Sequence, residues 1–264
     1  MRQYEAVVRV MEMIKSGGVF HIISMNPYKI QRFKANADLR LIAGAADMRL
    51  PAGGGLQWAG RMLRTPLRER IPPLSFIMYI VRIAEIKEFS IFLVGGKPEI
   101  VERAFFNIRK SFPKIRIVGR HGGYFNEDRE KSVIEAMRKS EANIVFVGLG
   151  FPREDKWISS IKGELKNAVF ISVGGCIDVI SGEIRKAPAF FMERALFTTW
   201  GRNIFPAPKR SPTTFMPDIS GPSITASGRP YFCRASSVSA VTNSSIPRTR
   251  AWDSRSSTVP FRQA

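Results

Sequence analysis

Val145-Phe-Val-Gly-Leu-Gly-Phe-Pro-Arg-Glu-Asp-Lys-Trp-Ile158 is the stretch on which the reading of this 264-residue chain turns. Residues 143–147 are a short apolar run with two valines, an isoleucine and a phenylalanine. Such a run fits a strand buried on both faces of a parallel sheet. Gly148 and Gly150 then turn the backbone, and Pro152 suits the first turn of a helix. Glu154, Asp155 and Lys156 follow on that helix, and Trp157 and Ile158 supply its apolar side. A strand that stops at glycines and restarts as a helix presents backbone N–H groups at the carboxyl edge of the sheet. Open α/β sheets bind phosphorylated ligands at that edge. The same glycines can also serve packing alone.

The pattern repeats on both sides of this stretch. Residues 89–94 read as a strand, Gly95-Gly96-Lys97-Pro98 as a phosphate-compatible turn, and residues 99–110 as an amphipathic helix. Residues 115–118 read as the next strand, followed by Gly119-Arg-His-Gly-Gly123-Tyr124-Phe125 and a helix over 127–139. The last strand, 169–173, ends in Gly174-Gly-Cys-Ile-Asp178. Strands alternating with helices predict right-handed βαβ units and a parallel sheet. Four glycine-rich strand ends, at 95, 119, 148 and 174, describe a ligand-binding rim.

Nearer the N-terminus, a helix over 4–15 ends at Gly17-Gly18, and residues 19–24 form a strand. His21 lies inside that strand and reads as a packed histidine. Ser24 and Asn26, which lead into another helix, are natural helix caps. Residues 39–43 read as a further strand, and three glycines at 53–55 precede an apolar helical stretch over 56–63. Arg61, Arg64, Arg68 and Arg70 make a basic cluster, ordinarily a solvated face. The expected fold is therefore α/β: a Rossmann-like parallel sheet with helices on both faces, within residues 1–206. It divides into a smaller N-terminal α/β part, 1–88, and a nucleotide-binding part, 89–190.

The net charge of +19 favours anionic partners: nucleic acid, an anionic membrane surface or phosphorylated substrates. The basic residues are scattered and form no recognition motif, which argues against nucleic acid. Cys176 and Cys233 are too far apart to suggest a disulfide framework or metal-ligand spacing, so a reducing, cytoplasmic setting is expected. The most apolar window, 74–81, is far shorter than the roughly 20 residues that span a bilayer. Residues 207–264 are rich in Ser, Pro and Arg and lack periodicity; they read as a disordered tail, and their abrupt change in composition suggests an altered reading frame.

Taken together, Gly95-Gly96-Lys97-Pro98, His121-Gly-Gly-Tyr-Phe125, Gly148-Leu-Gly-Phe-Pro-Arg-Glu-Asp155 with Trp157, Val173-Gly-Gly-Cys-Ile-Asp-Val-Ile-Ser-Gly182 and Arg185-Lys-Ala-Pro188 resemble the motifs of the WecG/TagA/CpsF bacterial glycosyltransferases. These enzymes build cell-surface polymers such as teichoic acid linkage units. The resemblance covers about residues 6–188. It implies transfer of N-acetylmannosamine, or a related sugar, with inversion, from a UDP-sugar to a polyprenyl-diphosphate-linked acceptor. It also implies no cofactor or metal ion, and a peripheral position on the inner face of the membrane. Homo-oligomerisation is left open.

The residues implied for substrate binding are Arg70, Gly95, Gly96, Lys97, Gly123, Tyr124, Phe125, Gly148, Gly150, Pro152, Glu154 and Asp178; those implied for catalysis are Ser24, Asn26 and position 52. For Asp178, a cap on the following helix is an equal alternative. The family's Pro-Asp-Gly motif, thought to supply the general base, reads Pro51-Ala52-Gly53 here, so the expected carboxylate is missing. The family's Pro-Lys-Gln-Glu reads Pro152-Arg-Glu-Asp155, placing Glu154 where relatives carry an amide; Glu154 is a weak substitute candidate for the base. Thr-x-Asn becomes Ser24-Met-Asn26, and the family's C-terminal arginine-bearing region survives only as a remnant over 196–202. A nucleotide-sugar-binding homologue without turnover is the alternative reading.

Overall fold

In each central strand, successive residues are apolar on both sides, so the sheet must be covered on both faces. The computed structural model describes residues 1–184, together with two short strands at 223–224 and 230–231. Six strands, β1 (Val19–Met25), β2 (Met48–Pro51), β3 (Ser90–Gly95), β4 (Arg116–His121), β5 (Ile144–Gly148) and β6 (Ala168–Ser172), form one sheet in the order β2-β1-β6-β5-β3-β4. Every pairing in it is parallel. Residues 1–88 supply β1 and β2, and the direct pairing of β1 with β6 joins them to the strands from 89 onwards. From β3 the chain passes outward to β4 and returns to β5 on the other side. Such a reversal opens ligand-binding crevices in doubly wound sheets.

Helices fill both faces as expected. On one, α1 (Gln3–Ser16), α5 (Pro73–Ile86), α6 (Pro98–Ser111) and the short α9 (Cys176–Ile180) pack on Ile22, Ile91, Leu93, Ile144, Phe146, Val169 and Ile171. On the other, α7 (Glu127–Ser140) and α8 (Arg153–Ile161) pack on Phe92, Val94, Val145, Val147 and Phe170. The helices α2 (Pro27–Ala35) and α3 (Ala37–Ala45) cover Ile23. The most apolar window of the chain belongs to α5, whose Phe76, Ile77, Ile80, Val81 and Ala84 are core residues.

Two expectations need correction. Residues 39–43 are not a strand but the middle of α3. Leu39 and Ala43, four apart, are buried, whereas Leu41 is 72% exposed; that is a helical period, and Asn36 caps it by accepting from the Leu39 N–H at 2.9 Å. The strand in this region is β2, whose Met48 and Leu50 point inward and Arg49 outward. Gly119 does not end a strand: β4 continues to His121, and the turn is at Gly122-Gly123. Ile91 pairs with Ile117 but Phe92 with Gly119, so Val118 is the extra residue of a bulge in this edge strand.

The second unit of the chain, Asp218–Ala264, contains the antiparallel pair β7 (Ser223–Ile224) and β8 (Pro230–Tyr231). Otherwise the 207–264 tail, the 185–188 motif and the 196–202 remnant lie outside the described residues.

A Cβ on Gly119 would overlap the ring of Phe92. Gly119→Ala should therefore destabilise the domain by about 1–3 kcal/mol, read as a lower midpoint in urea unfolding, and a Phe92→Leu background should relieve most of that loss.

Candidate active site at the carboxyl edge

Because the strands are parallel, all six carboxyl ends share one edge, and the sequence-predicted residues collect there from separate segments. At the β1–β2 end, Asn26 caps α2, its Oδ1 accepting from the Lys29 N–H at 2.8 Å. Ser24 instead lies within β1 and is buried, so only one of the two expected caps is a cap. Ala52 follows β2 and donates its N–H to the Met25 carbonyl at 2.7 Å. Gly53, the N-cap of α4 (Gly54–Met62), packs against Pro27 and Asn26. The Ile71 N–H donates to the Pro51 carbonyl at 2.8 Å, which joins the backbone at 70–71 to that at 51–52.

At the other half of the edge the glycines divide into two kinds. A Cβ on Gly95 would stand 2.5 Å from the Gly148 carbonyl oxygen, one on Gly148 2.8 Å from that of Gly174, and one on Gly123 2.7 Å from Leu149 Cδ2. The Gly123 N–H also donates to the Gly96 carbonyl at 2.7 Å. These glycines are required by turn-on-turn packing. Gly150 is different: its φ is +78° and the space a side chain would occupy is open. Gly96, with φ +67°, faces Asp178, whose Oδ1 would be 3.7 Å from a Cβ there.

Asp178 sits in the first turn of α9, half-buried. Lys97 is the N-cap of α6, exposed, and makes no ion pair among the described residues. Tyr124 is 70% exposed on the rim. Phe125 is not available in the same way: it packs on Trp157 at 5.5 Å and His121 at 5.9 Å, with the Arg153 guanidinium over its ring. Pro152 precedes α8 as its N-cap, joined to Phe151 by a cis peptide.

Beneath the rim lies a buried polar cluster that the sequence reading did not assemble. Glu154 and Asp155 are 1% and 0% exposed. Lys29 Nζ donates to Glu154 Oε1 and Asp155 Oδ2, each at 3.1 Å. Glu154 Oε2 accepts from the Gly174 N–H at 3.0 Å. Ser172 Oγ donates to Asp155 Oδ1 at 2.5 Å, and His21 Nε2 lies 3.1 Å from Ser172 Oγ and 3.5 Å from Asp155 Oδ1. His21 is thus the packed histidine that was expected. Glu154 has both oxygens engaged below the edge, in a position to orient the Gly174 turn and not to meet an acceptor hydroxyl. A signal for this burial was present: residues 154, 157, 158 and 161 share one helical face, and the last three are apolar. Lys29, on a different helix, carried no such signal.

The charges of the cluster are unequal, and burial acts on each. Burial pushes the Glu154 carboxyl above its ordinary 4.5; Lys29 opposes this and the neighbouring Asp155 adds to it. Burial acts the same way on Asp155, but hydrogen bonds from His21 and Ser172 and the charge of Lys29 outweigh it and hold that carboxyl below 3.8. Burial would lower Lys29, but Glu154 and Asp155 together hold it above 10.5. The Cys176 thiol, turned toward the core, is pushed up to about 12 by burial and by the Glu154 and Asp178 carboxylates, so it is no thiolate nucleophile at neutral pH.

A groove of about 690 Å³ lies elsewhere, between α1 and the start of β2, and contains none of the predicted residues. Among the described residues no cluster of His, Cys, Asp or Glu is grouped to hold a metal ion, and no helix is long and apolar enough to cross a membrane.

The pattern of the Glycosyl transferase WecG/TagA/CpsF family matches residues 1–210. The chain belongs to this family. Among relatives of this WecG/TagA/CpsF glycosyltransferase is an N-acetylglucosaminyldiphosphoundecaprenol N-acetyl-beta-D-mannosaminyltransferase of Staphylococcus aureus (strain NCTC 8325 / PS 47). It is 27% identical over 179 residues, which cover 68% of this chain and 69% of the relative. The protein of the same name from Bacillus spizizenii is 28% identical over 171 residues, covering 65% of this chain and 66% of the relative.

Lys29→Met would strand two buried carboxylates without a counter-ion and should cost about 3–5 kcal/mol, seen as a fall in thermal midpoint. Glu154→Gln leaves one cation against one anion and should change stability by no more than about 1 kcal/mol.

The pH dependence should separate the two carboxylates. Glu154, raised in the fold, disfavours folding once pH exceeds its folded value, so lowering pH toward 4.5 should stabilise the natural chain relative to Glu154→Gln. Asp155, depressed in the fold, stabilises above pH 3.8, and that contribution should disappear in both proteins as pH falls through its folded value. Urea unfolding across the acid range measures both limbs.

Proposed function

We propose that this glycosyltransferase binds a UDP-sugar at the carboxyl edge of the sheet. It would transfer N-acetylmannosamine, or a related sugar, with inversion and without a metal ion or other cofactor, to a polyprenyl-diphosphate-linked acceptor at the inner face of the membrane. The observation that carries the reading is the convergence of the family's motif residues on one edge, where Gly150 leaves open space and Asp178 faces Gly96. The relatives' names supply the sugar and the lipid-diphosphate acceptor.

A departing UDP needs positive charge and backbone donors at its second phosphate. Lys97 at the start of the 14-residue α6 offers an ammonium beside the amino end of a helix dipole. Asp178, across from Gly96, would accept from a donor-sugar or ribose hydroxyl. Arg70, next to the Ile71 N–H that bonds to the Pro51 carbonyl, would meet the acceptor's diphosphate.

The acceptor hydroxyl needs a base within hydrogen-bond reach. Ala52 has no group that accepts a proton, and Glu154 is committed to Lys29 and Gly174. A second reading follows from Ala52: the edge binds the nucleotide sugar but turns it over slowly.

Isothermal titration should show UDP and UDP-N-acetylmannosamine binding to both the natural chain and Ala52→Asp. Turnover on a lipid-diphosphate acceptor should rise in the Asp variant by about 10²–10⁴-fold and persist in EDTA. Binding of neither UDP species would defeat both readings; equal, fast turnover by both proteins would defeat the second.

A further inference from the structure

The carboxyl end of α4 and the loop after it form an exposed surface that the proposed chemistry does not use. Trp58 is 63% exposed, Met62 66%, Leu63 73% and Leu67 38%. Trp58 and Met62, four residues apart, share one stripe of the helix, with Arg61 beside them. Residues 61–68 are exposed without interruption and include Arg61, Arg64 and Arg68. No acidic residue occurs between Asp47 and Glu69.

The apex has a defined shape. The chain doubles back over the buried Gly60, whose carbonyl accepts from the Thr65 N–H at 2.8 Å, while Arg64 adopts φ +54°. That reversal turns Met62 and Leu63 outward. A Cβ on Gly60 would stand 2.8 Å from the Thr65 carbonyl, so the glycine is needed for the fold-back.

We propose that this apex docks the protein on an anionic phospholipid bilayer, with Trp58, Met62 and Leu63 entering the headgroup region and the three arginines meeting lipid phosphates. Trp at the interface, large apolar side chains and interleaved arginines are the combination an anionic lipid surface accepts. A nucleic acid would use the arginines but leave the Met and Leu side chains without a partner. Since α4 begins at the carboxyl edge, with Gly55 against Pro27, docking here holds the candidate site close to the bilayer. That orientation gains its purpose from the transferase reading; the docking surface itself does not depend on it.

Vesicle sedimentation of the full chain tests the proposal without donor or acceptor, so loss of turnover and loss of docking are read separately. The chain should pellet with vesicles of phosphatidylcholine and phosphatidylglycerol, and far less with phosphatidylcholine alone. Arg61→Gln/Arg64→Gln/Arg68→Gln should weaken partitioning by on the order of a hundredfold, about fivefold per arginine. Lys114→Gln/Arg129→Gln/Lys131→Gln, which removes the same charge elsewhere, should weaken it far less. Trp58→Ser/Met62→Ser should lose at least about tenfold, and Trp58 fluorescence should shift to the blue on binding. Equal effects of the two charge triplets, or undiminished binding by Trp58→Ser/Met62→Ser, would overturn the proposal. So would a lipid-free dimer that Trp58→Ser/Met62→Ser converts to monomer, since the apex would then be covered by a second copy.

Discussion

One ammonium and two carboxylates share a volume from which water is excluded, and most of the candidate site depends on how that imbalance is resolved. Lys29 arrives on α2, Glu154 and Asp155 on α8, Ser172 on β6 and His21 on β1. No element can shift without leaving a buried charge or hydroxyl unsatisfied, which costs more than an ordinary packing defect. The cluster thereby locks together the β1, β5 and β6 ends of the edge, including the Gly174 turn that Glu154 holds by its backbone N–H. The same lysine serves both carboxylates, so a single cation holds two buried anions.

The edge above the cluster is shaped by close approach of backbones. Gly95, Gly123 and Gly148 are glycines because neighbouring turns fill the space a side chain would need. Gly150 leaves its space open. Close-packed glycines and one with open space beside it therefore stand in one rim, a few residues apart. The close-packed turns fix the backbone on either side of the open one.

The backbone around Ala52 is well ordered: its N–H bonds to the Met25 carbonyl, Asn26 caps α2, and the Ile71 N–H bonds to the Pro51 carbonyl. Ala52 itself offers no group that could accept a proton. A substitution at this half-exposed turn should leave folding nearly untouched, because the position contributes little to the core.

The sequence alone determined the alternation of strands and helices, hence the parallel sheet covered on both faces and the single edge where its turns meet. Those properties follow from local periodicity and from the handedness of βαβ units. The identity of Ala52, a side chain without an acid or base, is likewise legible in the sequence. Only the tertiary structure decided what depends on contacts distant in sequence. Residues 39–43 are helical because Leu39 and Ala43 meet Phe33 and Ile23; a five-residue apolar window fits either period. Gly119 lies inside β4 because Phe92 needs its vacant side, and Glu154 is structural because Lys29 reaches it across 125 positions. Desolvation and steric fit act between surfaces that the chain brings together only on folding, so no local pattern encodes them.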